Sequence, residues 1–212
     1  MKTAIIGLGN IGTRVAVALA NGGQDIIVSD RNPARAKEFA AKLGSKAKAA
    51  SIEDVLKEAD VVILAIWFDA IREFVIAHHS VLAGKIVVDP SNPIAPDGKG
   101  GFKKTIPADQ SAGKINAALL PEGAEPVKAF GTLGAESLGA AANRSPERAV
   151  LFYATDYPEA GRAVAKLITA AGFAPVSVGG IDQSIRIEVG GDLHEFGKLG
   201  RLVSLKEAQA LV

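Results

Sequence analysis

The chain has 212 residues, a formal net charge of +1 and 48% hydrophobic residues, so it can bury a sizeable core but is short for two full domains. Acidic and basic residues are nearly matched and form no blocks, which argues against a nucleic acid or an anionic membrane as the partner. Because there is no cysteine, disulfides, thiolate nucleophiles and sulfur-based metal sites are excluded. The sequence pattern shows neither a membrane span nor an export signal, so we expect a cytoplasmic protein that acts on small molecules.

Strands and helices alternate through the first half of the chain. The predicted strands are at 3–6, 25–29, 46–50, 61–65 and 86–88. Apolar residues at helical spacing predict a helix over 11–20, Pro33 suits the first turn of a second helix, and Ser51 with Asp54 indicates a capping box. This alternation produces right-handed βαβ crossovers. The predicted fold is therefore α/β, a doubly wound and mainly parallel sheet.

The second half begins with a segment of different composition. Residues 89–111 contain prolines, glycines and little periodicity, which predicts either a functional lid or binding loop on the substrate side or a partly disordered linker. Its lysines, Lys99, Lys103 and Lys104, either attract an acidic substrate tail or are solvated loop charges. Beyond the loop, the pattern predicts helices over 112–120 and 158–171, strands over 127–130, 149–154 and 174–178 that continue the sheet, and one or two further helices in 180–212.

The strongest chemical signal is the run Gly7-Leu8-Gly9-Asn10-Ile11-Gly12 between the first strand and the first helix. Gly7 allows a tight turn, Gly9 lets the backbone approach a pyrophosphate, and Gly12 lets the helix pack closely on the strand. The helix N-terminus adds N–H donors and the positive end of its dipole. We therefore predict a single Rossmann-type NAD(P)-binding domain, with the dinucleotide-binding half over 1–110 and a sheet extension with C-terminal helices over 111–212.

The choice between NAD and NADP depends on three neighbouring residues. Asp30 ends the second strand, where a carboxylate usually holds the ribose 2′-hydroxyl of NAD and repels a 2′-phosphate. Arg31 and Arg35 are one helical turn apart and suit a clamp on the 2′-phosphate of NADP. Alternatively, Arg31 stacks on adenine and Arg35 is a solvated helix residue. The residues themselves leave both cofactors open.

Five short motifs accompany the glycine run: Ser29-Asp30-Arg31-Asn32-Pro33, the strand end Val61 to Trp67, Asp89-Pro90-Ser91-Asn92-Pro93, Lys128-Ala129-Phe130-Gly131-Thr132-Leu133 and Ser184-Ile185-Arg186-Ile187-Glu188. Together these motifs resemble the NADPH-dependent coenzyme F-420 reductase family over nearly the whole chain. The STEAP-type metalloreductases and the N-terminal domain of pyrroline-5-carboxylate reductase are similar more distantly.

The resemblance implies a place for each part of the site. Arg31 and Arg35 match the family's basic positions for the 2′-phosphate, which favours NADP, whereas Asp30 departs from the more frequent Ser or Asn. The remaining implied contacts are Ala65, Ile66 and Trp67 beside the dinucleotide, Asn92 and Pro93 near the nicotinamide, and Gly131, Thr132 and Leu133 in the acceptor pocket. The family acceptor is a deazaflavin. The family also implies a homodimer, for which residues 202–211 offer an apolar helical stripe.

No acid–base constellation stands out, and none is needed for hydride transfer between a nicotinamide and a flavin-like ring. We predict neither a catalytic residue nor a metal site. His194 lies between glycines in the tail and either reaches the substrate site or is a surface or interface histidine. Two other functions stay open: a reductase of imines, iron chelates or quinones, and a module that senses a dinucleotide without turnover.

Overall fold

The structure of the protein, a computed structural model, describes residues 1–98 and 101–212. Its strands are β1 (Thr3–Ile6), β2 (Ile26–Ser29), β3 (Ala47–Ala49), β4 (Val61–Leu64), β5 (Ile86–Asp89), β6 (Ile94–Pro96), β7 (Phe102–Lys104), β8 (Glu125–Lys128), β9 (Val150–Tyr153) and β10 (Ala174–Ser177). Its α-helices are α1 (Asn10–Asn21), α2 (Pro33–Lys42), α3 (Ile52–Glu58), α4 (Phe68–Leu82), α5 (Ala112–Ala117), α6 (Ala135–Ala140), α7 (Pro158–Ala170) and α8 (Leu205–Gln209).

Six parallel strands form the central sheet in the order β3-β2-β1-β4-β5-β8. Successive residues of β1 pack into different cores, because side chains alternate between the two faces of a strand. Ile5 belongs to the cluster that includes Leu19 of α1, whereas Ile6 belongs to the cluster that includes Val55 of α3. Both faces are therefore covered, which confirms the predicted doubly wound α/β fold. The strand order reverses at β1, where open α/β sheets bind ligands.

The predicted continuation of the sheet is only partly correct. Strands β9 and β10 pair with each other in parallel as a separate two-stranded sheet. A single antiparallel bridge between Lys128 and Ala154 joins this pair to the central sheet. The strand predicted over 127–130 instead ends at Lys128, because Phe130 adopts a left-handed conformation with φ of 63° that a strand cannot contain.

The segment 89–111 also differs from the predicted loop. Strands β6 and β7 pair antiparallel within it and form a short hairpin. The Lys104 ammonium donates hydrogen bonds to the carbonyl oxygens of Ala108 and Gln110, so it is not a freely solvated charge. Lys99 lies outside the described residues. Among the described helices, none is long and apolar enough to cross a membrane.

Candidate functional site

The glycine run forms the turn between β1 and α1 at the carboxyl edge of the sheet. Gly7 has φ of 93°, and a Cβ added to it would lie 2.5 Å from the Ala65 carbonyl oxygen. A Cβ on Gly12 would lie 1.9 Å from the Gly7 carbonyl oxygen. Both positions therefore require glycine for close backbone approach. A Cβ on Gly9 would meet no described atom within 4 Å, so Gly9 faces open space.

The start of α1 fits a dinucleotide pyrophosphate. Gly9 is its N-cap and has no side chain that could accept the first N–H groups, and the first turn carries no acidic residue. Exposed N–H donors and the positive end of the helix dipole therefore remain available for an anion. The predicted cofactor residues Leu8, Asn10 and Ile11 lie in this turn, where Leu8 is buried and Asn10 is exposed.

The carboxylate of Asp30 is engaged by its own chain. Its two oxygens accept hydrogen bonds from the backbone N–H groups of Leu8, at 3.0 Å, and Asn32, at 2.9 Å. The Arg35 guanidinium lies 3.8 Å from the same carboxylate and also donates to the Leu8 carbonyl oxygen. Asp30 and Arg35 thus fasten the glycine turn to the end of β2. The sequence-based choice between Asp30 for NAD and the arginines for NADP overlooked this pairing.

A cleft of about 490 Å³ opens beside the end of β2. Arg31 and Lys37 line it with exposed side chains, whereas Arg35 is not among its lining residues. Lys37 was missed in the sequence, although its position one helical turn after Pro33 could have indicated it. The other polar lining residues are Ser29, Asp30, Ser51 and Glu53. The basic pair facing this cleft is therefore Arg31 with Lys37.

The end of β4 faces the glycine turn, as parallel neighbours in the sheet require. Ala65 and Ile66 lie against Gly7, since atoms of both would contact a Cβ placed there. Trp67 is the N-cap of α4, and 66% of its surface is exposed. Trp67 therefore does not pack into the core and is accessible at the sheet edge.

The turn after β5 joins two other segments of the predicted site. The Asn92 side-chain amide donates to the Gly131 carbonyl oxygen at 3.0 Å, and its oxygen accepts the Val189 N–H at 2.8 Å. The His194 Nε2 also contacts the Gly131 carbonyl oxygen, at 2.9 Å. Pro93, next to Asn92, is buried. Three predicted site residues, Asn92, Gly131 and His194, thus meet at one carbonyl oxygen.

His194 is held neutral by this arrangement. Its Nδ1 accepts the Phe196 N–H at 2.8 Å, so the proton resides on Nε2, which donates to Gly131. Burial lowers the pKa of His194 from 6.5 to about 4, against the opposing effect of the Gly131 hydrogen bond. The side chain is 1% exposed, so the structure does not place it on the surface. His194 orders the loop rather than facing solvent.

The remaining predicted acceptor residues shape the same loop from within. Thr132 is 1% exposed and donates its hydroxyl to the Phe152 carbonyl oxygen, while Leu133 packs in the main core. The Glu195 carboxylate accepts the Gly134 N–H at 2.7 Å and the Ser137 hydroxyl, a contact missed in the sequence. Direct contact of Thr132, Leu133 or His194 with an acceptor stays a prediction.

The chain is similar to known proteins in sequence and in fold. Residues 2–93 match the sequence model of a family described as NADP oxidoreductase, coenzyme F-420-dependent. A hypothetical protein from Sinorhizobium meliloti is similar over 96% of this chain and 95% of its own, with 33% identity and a TM-score of 0.84.

Two more distant structures share the fold. A protein from Arthrobacter sp. FB24 assigned as an F-420-dependent NADP-reductase matches 87% of this chain and 87% of its own, with 23% identity and a TM-score of 0.73. A pyrroline-5-carboxylate reductase from Coxiella burnetii matches 87% of this chain and 60% of its own, with 19% identity and a TM-score of 0.61. The similarity thus extends beyond the glycine run to most of the chain.

Proposed function

The chain belongs to the coenzyme F-420-dependent NADP oxidoreductase family, and on that premise we propose that it transfers a hydride between NADP(H) and a flavin-like acceptor such as coenzyme F-420. It is an NAD(P)-dependent oxidoreductase, and the proposal concerns its cofactor preference and its acceptor. The observation that carries the proposal is the basic pair Arg31 and Lys37 on the cleft beside a carboxylate, Asp30, that its own chain already engages.

The cofactor preference follows from how that carboxylate is used. An Asp that holds the ribose of NAD must present an oxygen to the 2′-hydroxyl, but the Asp30 side chain is only 13% exposed, accepts the N–H groups of Leu8 and Asn32 and is paired with Arg35. Arg31 and Lys37 are free of that pairing and line the cleft, where they suit a 2′-phosphate. Glu53 on the same cleft opposes them in charge, so a measured preference tests which effect dominates.

Each predicted segment then has one task in binding. The α1 N-terminus holds the pyrophosphate at Gly9, with Ala65, Ile66 and Trp67 bordering the dinucleotide. Asn92 and Pro93 lie on the nicotinamide side, and the loop at Gly131 forms the acceptor side. When bound, the nicotinamide supplies the hydride and the acceptor ring takes it up. The chain orients the two rings and excludes water.

A flavin-like acceptor is favoured by the state of His194. Reduction of an imine or a carbonyl needs a proton donor near the reacting atom. His194, the histidine nearest the predicted acceptor loop, is neutral and has both ring nitrogens in internal hydrogen bonds. Hydride addition to a conjugated ring leaves a negative charge that spreads over the ring, so solvent can supply the proton and the protein need not provide a donor.

The experiment compares acceptors under one set of conditions. NADPH oxidation is followed with coenzyme F-420, free flavin, ferric chelate, a cyclic imine and a quinone. We expect turnover with coenzyme F-420 to exceed turnover with every other acceptor. Faster turnover with the imine, iron chelate or quinone assigns the chain to that reaction instead. Tight NADPH binding without oxidation by any of these acceptors supports a sensing module.

A second experiment measures the preference for NADPH over NADH in variants of the cleft. We expect NADPH to bind at least about tenfold more tightly than NADH, a difference of about 1.4 kcal/mol, and Arg31→Ala and Lys37→Ala each to reduce that preference. Lys42→Ala is the matched control, because Lys42 lies on the same helix and pairs with Glu38 outside the cleft. Equal affinity of the wild type for NADH and NADPH contradicts the phosphate clamp.

We also propose that the chain forms a homodimer in the cytoplasm and takes a small molecule as its redox partner. Ala208 of the predicted apolar stripe is buried within the chain, whereas Leu205 and Leu211 are 43% and 41% exposed. Sedimentation velocity tests the assembly. A single species at the monomer mass across micromolar concentrations contradicts the dimer.

A further inference from the structure

Three ionisable side chains from distant parts of the chain are buried together beneath the turn after β5. Asp89 ends β5, Lys128 ends β8, and Glu188 follows the 3₁₀-helix at Ile181–Ile187. The Lys128 ammonium lies 3.0 Å from the Asp89 carboxylate and 4.0 Å from that of Glu188. Their side chains are 10%, 2% and 1% exposed for Asp89, Lys128 and Glu188, respectively. We refer to these three residues as the charge cluster.

Burial of such charges is tolerated only when each is paired and hydrogen-bonded. Asp89 accepts from the Ser91 N–H at 2.7 Å and from the Asn116 amide at 2.8 Å. Glu188 accepts from the Ser111 hydroxyl and from the first N–H groups of α5, at 2.8 to 3.0 Å. Across the described residues, no buried side-chain N or O atom lacks a partner.

Stability is a weak reason for burying such a cluster. A buried ionic group can often be replaced by apolar residues of similar volume without loss of stability, because desolvation offsets the attraction. Buried charges instead impose one geometry on whatever they hold. The role of the cluster is therefore inferred from the part of the chain that it holds in place.

The cluster acts on Asn92 through its backbone neighbour Ser91 and through its side-chain partner Val189. The Lys128 ammonium donates to the Ser91 carbonyl oxygen, and Asp89 accepts the Ser91 N–H, so both backbone groups of Ser91 are fixed. On the other side, Glu188 immediately precedes Val189, whose N–H binds the Asn92 side chain. The Asn92 amide, held in this way, reaches the Gly131 carbonyl oxygen.

We propose that Lys128 is a positioning residue, which through the charge cluster fixes the turn at Ser91 and Asn92 on the nicotinamide side of the site. The inference rests on the proposed function, in which Asn92 and Pro93 lie beside the nicotinamide. It does not depend on the acceptor. Lys128 itself is buried and acts through Ser91, so it is not a catalytic residue.

The test separates the two ends of the cofactor. NADPH is compared with 2′,5′-ADP, and NADH with ADP, so that each dinucleotide is measured beside the fragment that lacks the nicotinamide. In Lys128→Met we expect the affinity for the preferred dinucleotide to fall about tenfold or more, because a misplaced binding group loses its preorganisation. The affinity for the matching fragment should change less than about twofold. The second pair keeps the test valid if the chain prefers NADH.

Two further variants control for the loss of a lysine hydrogen bond elsewhere and for unpaired buried charge. Lys85→Met is the matched control, because the Lys85 ammonium also donates to a backbone carbonyl, that of Ala59, but at the opposite end of β5. We expect it to change neither affinity. The neutral triple variant Asp89→Asn, Lys128→Met, Glu188→Gln removes all three charges, so it avoids unpaired buried charge while still losing the bond to Ser91.

Each possible result of these affinity measurements either supports or overturns the positioning role. Loss of dinucleotide affinity with retained fragment affinity, in either Lys128→Met or the triple variant, supports the positioning role. Equal loss for dinucleotide and fragment in both variants means that the cluster is merely structural and overturns the proposal. Unchanged affinity for both in a folded variant overturns it as well. Failure of coenzyme F-420 as the acceptor contradicts only the proposed function, since these measurements involve no acceptor.

Discussion

Acidification should destabilise the chain through His194, in a pH window set by its burial. The pKa of His194 is lowered from 6.5 to about 4 because the ring is buried, and this effect outweighs the Gly131 hydrogen bond, which acts in the opposite direction. As the pH falls below 6.5, the unfolded chain binds the proton first. The stabilising contribution of neutral His194 is therefore complete above pH 6.5 and is lost as the pH falls to about 4.

The shift sets the size of the effect. A difference of 2.5 pKa units between 6.5 and about 4 corresponds to about 3 kcal/mol when the loss is complete. Most of it, about 2 kcal/mol, is lost between pH 7 and pH 5. With a urea slope of about 2 kcal/mol/M, the unfolding midpoint should fall by about 1 M over that interval from this residue alone.

The assay is urea unfolding followed by circular dichroism at several pH values between 7 and 4. His194→Gln removes the titrating group, so the difference between wild type and variant isolates its contribution from that of the carboxylates. His79→Gln, at an exposed position on α4, is the matched control and should follow the wild-type pH dependence. Parallel curves for wild type and His194→Gln over this window would refute the reasoning.

Three substitutions test the turn and the tail. Gly9→Ala should leave the unfolding free energy within about 1 kcal/mol of the wild type but weaken dinucleotide binding, because the new methyl group faces open space where the pyrophosphate is expected. Gly12→Ala places a Cβ 1.9 Å from the Gly7 carbonyl oxygen, so thermal unfolding should show a loss of about 1–3 kcal/mol or more, with binding lost as well. Ser204→Ala removes the capping box of α8 and should cost about 1 kcal/mol in urea unfolding, whereas Ser177→Ala, at an exposed position, serves as its control.

Local signals explain what could be predicted from the sequence. The glycine turn, the start of α2 at Pro33 and the cap at Ser51 each depend on a few consecutive residues, and the structure has them where the pattern indicates. The Ser51 hydroxyl accepts the Asp54 N–H at 3.1 Å, which is one half of the predicted capping box. The Asp54 carboxylate accepts the Ser51 hydroxyl instead of the Ser51 backbone N–H, so the reciprocal half of the box is not formed. Alternation of strands and helices then leaves few topologies, which explains why the doubly wound fold was predictable.

Long-range contacts explain what could not be predicted. The direction of the Asp30 carboxylate depends on Leu8 and Arg35, and a residue type alone does not reveal such pairing. Lys128 reads as an ordinary strand residue, since its partners lie in distant segments. The end of β8 was placed two residues too late, because the apolar Phe130 suits a strand by type while its backbone is left-handed. The roles of the predicted site residues themselves stay predictions.

The hydrogen bonds around Gly131 also limit how far the chain can be shortened. The contacts of the glycine turn and of the cleft beside β2 lie within residues 7–66. The bonds from Val189 to Asn92 and from His194 to Gly131 instead require the last part of the chain. Removal of residues 189–212 would therefore take the Val189 donor from the Asn92 side-chain oxygen and the His194 donor from the Gly131 carbonyl oxygen, although both acceptors lie far from the C-terminus in sequence.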